Sequence, residues 1–115
     1  MLYTDFKVKD KELKLRLNCR SCVALEKKLG RNPISVFSGV AEGSLPTLTD
    51  VITILHASLQ ALEHGYTEEK TFDLFDEYIE EGHTLIDIIP VILDVFTVSG
   101  LISGTQEPEA EGKNA

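Results

Sequence analysis

Leu2-Tyr3-Thr4-Asp5-Phe6-Lys7-Val8-Lys9-Asp10-Lys11-Glu12-Leu13-Lys14-Leu15-Arg16-Leu17-Asn18 opens the chain with two alternating runs around a polar centre. Leu2, Thr4, Phe6 and Val8 share one face, and Tyr3, Asp5, Lys7 and Lys9 share the other. Leu13, Leu15 and Leu17 then alternate with Lys14, Arg16 and Asn18. A period of two with Lys9 to Glu12 between the runs predicts a β-hairpin over about 2–18, apolar on one face and basic on the other. A lone hairpin is marginal in water, so its apolar face requires something to pack against.

Four helices supply it. Over about 20–29, Cys22, Leu25 and Leu29 point one way and Gly30 is the stop. Arg31-Asn32-Pro33 breaks the chain, and Ile34, Val36 and Phe37 suit a short packed turn in the connector that follows. The second helix is predicted over about 47–64, opened by Thr47 with Asp50 three residues on. The third, over about 67–81, starts after Thr67 with Glu68 and Glu69 at the positive end of the helix dipole. The fourth, over about 84–99, starts at Thr84 with Asp87 three residues on. The expected fold is therefore mainly α with an N-terminal β-hairpin, an α+β domain over residues 1–103 built on a small bundle of about four helices. Residues 104–115 have no apolar period and are expected to form a disordered acidic tail.

Composition narrows the function. The 115 residues are 43% hydrophobic and 26% charged, ordinary for a globular domain, with a net charge of −8. An acidic chain argues against nucleic acid as a partner. The most apolar stretch, Leu85 to Ile102, is interrupted by Asp87, Pro90, Asp94 and Gly100, so no membrane span is expected. Two cysteines and no secretory leader point to a reducing cytosol.

The charge is unevenly distributed. Nine of the eleven Lys and Arg lie in the first 31 residues, beside four acids, for a net +5; the remaining residues carry −13. One reading is self-association, with the basic hairpin of one copy (Lys7, Lys9, Lys14, Arg16) meeting an acidic helix face of the next (Asp73, Asp76, Glu77, Glu80). The plainer reading is a solvated basic ribbon and a solvated acidic helix.

The helix faces suggest where a partner would bind. Leu48, Val51, Ile52, Leu55, Leu59 and Leu62 share one face of the second helix, opposite Thr53, His56, Gln60, Glu63 and His64. The fourth helix is apolar around most of its circumference, so it is either central to the core or touches two surfaces. Pro90 in its middle predicts a kink or the true helix start. The surface reading nominates Leu55, Leu59, Leu62, Ile88, Val91, Ile92 and Val95 as partner-binding residues; the alternative makes them core.

No catalytic constellation is expected, and no cofactor or metal. Cys19-Arg20-Ser21-Cys22 is a CxxC between a strand and a helix, the local setting of a thiol oxidoreductase. No parallel sheet follows to carry it, and Cys22 shares the apolar face of its helix. His56, His64 and His83 lie too far from the cysteines for finger-type zinc spacing.

Three strings, in order, carry a resemblance. Leu15-Arg16-Leu17 leads into Cys22-Val23-Ala24-Leu25-Glu26-Lys27-Lys28-Leu29-Gly30-Arg31-Asn32-Pro33; then come Ile54-Leu55-His56-Ala57-Ser58-Leu59-Gln60 and Asp76-Glu77-Tyr78-Ile79-Glu80-Glu81-Gly82. Together they resemble the tail assembly chaperones of long-tailed phages and prophages of Gram-positive bacteria, over roughly residues 3–100. That resemblance implies a helical protein, and with no catalytic constellation in the chain it is expected not to be an enzyme. It would hold the tape-measure protein soluble in the host bacterial cytoplasm, promote tail-tube polymerisation, self-associate, and be absent from the mature virion. It also implies a longer form, made by ribosomal frameshifting, that contacts the tail-tube protein. Lys113-Asn114 can be encoded by a slippery AAA-AAC run if the Gly112 codon ends in A. Rival readings are another phage morphogenesis adaptor, of the head–tail connector type, or a thiol oxidoreductase using Cys19 and Cys22.

Overall fold

A computed structural model describes residues 2–103. Strands β1 (Thr4–Val8) and β2 (Lys11–Leu15) pair antiparallel, followed by helices α1 (Cys19–Leu29), α2 (Leu48–Leu59), α3 (Glu68–Glu80) and α4 (Leu85–Val98). The α+β class and the hairpin-then-helices order are those expected from the sequence. Two short 3₁₀ turns, Pro33–Phe37 and Val40–Glu42, occupy the connector before α2, and the first buries Val36 and Phe37.

Alternation builds the hairpin. The register sets Thr4 opposite Leu15, Phe6 opposite Leu13 and Val8 opposite Lys11 on the inner face. Phe6, Val8, Leu13 and Leu15 are buried there, while Leu2, expected with them, lies before the strand and is exposed. The outer face is not purely basic. Asp5 stands opposite Lys14 and Lys7 opposite Glu12, so opposite charges alternate across the ladder. The Lys14 ammonium also lies 5.1 Å from the Tyr3 ring centroid.

Helix α2 is the axis of the fold, in contact with α1, α3, α4 and β2. Val51, Ile54, Leu55 and Leu59 are fully buried against Ile88, Ile92, Val95 and Phe96 of α4, whose other neighbour is β1. Each such side chain contributes about 1.5–3 kcal/mol relative to exposure. The nearly all-round apolar α4 is thus a central core helix. It runs unbroken through Pro90, which is exposed one turn from the start.

The caps explain the boundaries. Asn18 with Ser21 and Thr84 with Asp87 form reciprocal capping boxes at α1 and α4. Thr47 and Thr67 cap α2 and α3 by accepting the N–H groups of Asp50 and Lys70. Gly30, at φ 73°, ends α1 in the left-handed conformation that a side chain disfavours.

Helix α2 stops at Leu59, five residues short of the expected end. The Ser58 carbonyl accepts the Arg16 N–H at 2.9 Å, turning from the helical ladder toward the hairpin. The Gln60 side-chain amide donates to the His56 carbonyl, so the Gln60 N–H bonds Ala57 instead. Leu62, Glu63 and His64 consequently lie in the turn after α2, not on its faces.

Candidate functional site

The partner-binding nominees separate sharply. Leu55, Leu59, Ile88, Ile92 and Val95 are all 0% exposed. They form the core and offer no surface to a partner. A small bundle has a single interior, and α4 fills it, so most of the wide apolar arc of α4 meets α2, β1 and Phe37, while Ile86 stays 58% exposed. Val91 is half-buried on the rim of the same core, and Leu62 is half-buried in the turn.

Half of the residues nominated for self-association, Lys9, Arg16, Glu77 and Glu80, have side-chain hydrogen-bond partners within the chain. Lys9 Nζ lies 2.9 Å from Glu80 Oε1, and Lys11 Nζ lies 2.7 Å from Glu77 Oε1. Both ammonium pKa values are raised, first by the hydrogen bond to that carboxylate. Arg16 donates to the carbonyls of Leu2 and Val98. Farther along, Lys28 pairs with Glu68 at 3.4 Å and Arg31 with Asp50 at 3.1 Å. Every Lys or Arg ion pair among the described residues joins the basic first 31 residues to an acid at position 50 or beyond. The polarity of the sequence is a clamp between the two parts of one chain. Lys7 and Lys14 stay exposed opposite acids, and Asp73 and Asp76 are exposed without an ion pair among the described residues.

Exposed apolar side chains mark the surface that periodicity did not single out. Leu48 is 52% exposed and Phe72 46%. With Ile52 and Phe75 as a buried floor they line a groove of about 370 Å³ between the start of α2 and α3, bordered by Glu68 and Asp76. Ile79, two turns beyond Phe72, extends the apolar line at 42% exposure. The sequence did carry a signal. The apolar arc of α3 runs from Leu74 to Phe72, wider than one contact with α2 can cover.

The two thiols are free, Cys19 exposed and Cys22 half-buried. Burial, reinforced by Glu26, pushes the Cys22 thiol up, opposite to what an attacking thiolate requires. Among the described residues no three His, Cys, Asp or Glu side chains gather as a metal site. No helix among them is long and apolar enough to cross a membrane.

One protein-family model matches residues 3–114, nearly the whole chain; its description is a family of unknown function, DUF6096. The chain belongs to the DUF6096 family. Neither a curated protein nor a solved structure matches it. In this DUF6096 protein, then, the candidate site is defined by geometry: an uncovered apolar groove on α2 and α3, bordered by Glu68, which pairs with Lys28, and by Asp76, which has no ion pair among the described residues.

Proposed function

We propose that this DUF6096 protein is a phage tail assembly chaperone. It binds the tape-measure protein, keeps it soluble in the host bacterial cytoplasm, promotes tail-tube polymerisation around it, and is left out of the mature virion. Support comes from the ordered strings at Leu15 to Pro33, Ile54 to Gln60 and Asp76 to Gly82, read as a resemblance. The observation that carries the binding role is the Leu48–Phe72 groove, where exposed apolar side chains gather over a buried apolar floor instead of standing singly. Such a groove suits helix-in-groove docking. A long helical tape-measure protein presents apolar helical faces until the tube encloses it.

Homo-oligomerisation and an extended form that contacts the tail-tube protein belong to the same proposal. Gly112 to Asn114, where the slippery run would be encoded, lie outside the described residues. Any self-association must use surfaces other than Lys9, Lys11, Glu77 and Glu80, whose charges are matched internally.

Co-expression with the tape-measure protein of the same gene cluster tests the proposal. The expected result is a soluble complex that co-purifies, with tape-measure protein alone insoluble. Tape-measure protein that stays insoluble and unbound in the presence of this chain overturns it.

A further inference from the structure

We propose that the α2–α3 groove docks one basic amphipathic helix of another protein, with Lys or Arg flanking its apolar stripe on the side facing α3. The inference rests on the reading of this groove as a helix-docking surface, and it adds the chemistry of the occupant.

The floor and walls, Leu48, Ile52, Phe72 and Phe75, are apolar, so the occupant must bring large apolar side chains at helical spacing of three, four and seven. On α3, Phe72 and Ile79 share one stripe with Glu69 and Asp76, three residues before and four residues after Phe72. Neither Glu69 nor Asp76 makes an ion pair among the described residues, whereas the acids on the hairpin side, Glu77 and Glu80, do. The clamp neutralises the hairpin flank of α3, and Lys28 pairs with Glu68 at one end of the groove, which leaves Asp76 as the groove-lining carboxylate without an ion pair among the described residues and Glu69 beside it on the same stripe. A helix carrying cations along its border matches that field; an acidic one is repelled by it.

Two occupants from the chain itself fit poorly. The stretch from Gly104 to Ala115 holds Glu107, Glu109 and Glu111 and no large apolar residue. The exposed stripe of α1, with Arg20 and Lys27, is basic but offers a single sizeable apolar side chain, Val23. One valine cannot fill a groove of about 370 Å³.

The test uses the full chain and a displayed library of helical peptides, with apolar residues varied at heptad positions and all charges varied at the flanks. Selected peptides are expected to be enriched in Lys and Arg. They should bind E69Q/D76N at least tenfold more weakly, lose binding to L48S/F72S, and weaken with salt. Both double variants change exposed residues, and circular dichroism checks that they stay folded. Enrichment of neutral or acidic peptides, no enrichment at all, or equal binding to L48S/F72S overturns the proposal. So does a native dimer in sedimentation that dissociates in L48S/F72S, since the occupant is then a second copy. Tape-measure protein that co-purifies equally with L48S/F72S would sink the groove assignment and leave the chaperone reading standing. Groove-binding basic peptides without tape-measure binding would do the reverse.

Discussion

Lys11 Nζ sits 2.7 Å from Glu77 Oε1, a contact across 66 residues that fastens the hairpin to α3. Lys11 occupies the last inner-face position of the ladder, opposite Val8, where the apolar floor ends and an ammonium can reach out to the helix. Alongside it the Lys9 N–H donates to Glu81 at 2.8 Å and the Lys14 N–H to Glu63 at 2.8 Å. Carboxylates thus occupy hairpin donors that could otherwise recruit another strand.

Lys9 holds φ at 56°, the one non-glycine described residue in the left-handed region. Both glycine and alanine lose the contact to Glu80, but glycine relieves the strain of that conformation and alanine keeps it. Lys9→Gly should therefore melt at a higher temperature than Lys9→Ala by calorimetry. The reverse order would mean the turn is not strained.

Core and groove substitutions should divide cleanly. Phe96, fully buried with its ring 5.8 Å from Phe37, should cost about 3–5 kcal/mol on Phe96→Ala. Ile92→Asp places a charge in the interior and should abolish folding. Phe72→Ser, nearly half exposed, should cost no more than about 1 kcal/mol. Urea denaturation reads all three, and a folded Ile92→Asp would contradict the assignment of α4 to the core.

Among the described residues, five groups have clearly shifted pKa values, and all five are raised. Lys9 and Lys11 rise chiefly through hydrogen bonds to Glu80 and Glu77, and Cys22, Tyr66 and Tyr78 chiefly through burial. A raised folded value favours the protonated form. Its stabilisation is complete below the unfolded value and is lost as pH climbs through the folded one. Stability should accordingly fall on the alkaline side, starting around the ordinary values of 9.0 for Cys, 10.0 for Tyr and 10.5 for Lys. Urea midpoints between pH 8 and 11 check this, with Lys11→Met giving a shallower decline. Cys22 should also be alkylated by iodoacetamide at pH 8 more slowly than free cysteine.

Removing the α4 capping box by Thr84→Ala should cost about 0.5–2 kcal/mol, because the Asp87 N–H loses the Thr84 hydroxyl and keeps only the Thr84 carbonyl as acceptor. Chemical denaturation measures it. A neutral result would show that packing alone sets the start of α4.

Translation of the native gene with its downstream DNA should yield, by intact-mass spectrometry, the 12.7 kDa chain and a minor longer product diverging near Lys113. A single species would remove the frameshift from the proposal.

Local chemistry was legible in the sequence. Period-two alternation set the inner face of the hairpin, and Thr47, Thr67 and Thr84 marked three helix starts, because alternation and capping act within a few residues. Whatever depended on distant partners was not legible. Thr53, placed on the polar face of α2 by its wheel, is buried and satisfied by the Thr49 carbonyl. The end of α2 was decided by Arg16, more than 40 residues earlier, taking the Ser58 carbonyl. Above all, the uneven charge along the chain was plain from the sequence, but which copy answers it was not. Coulomb attraction depends on separation in space, and only the packing of the hairpin against α3 brings Lys9 and Lys11 to Glu80 and Glu77. The same packing buried α4 and left Leu48 and Phe72 uncovered, because a single small core can surround one helix but not cover every apolar edge of the others.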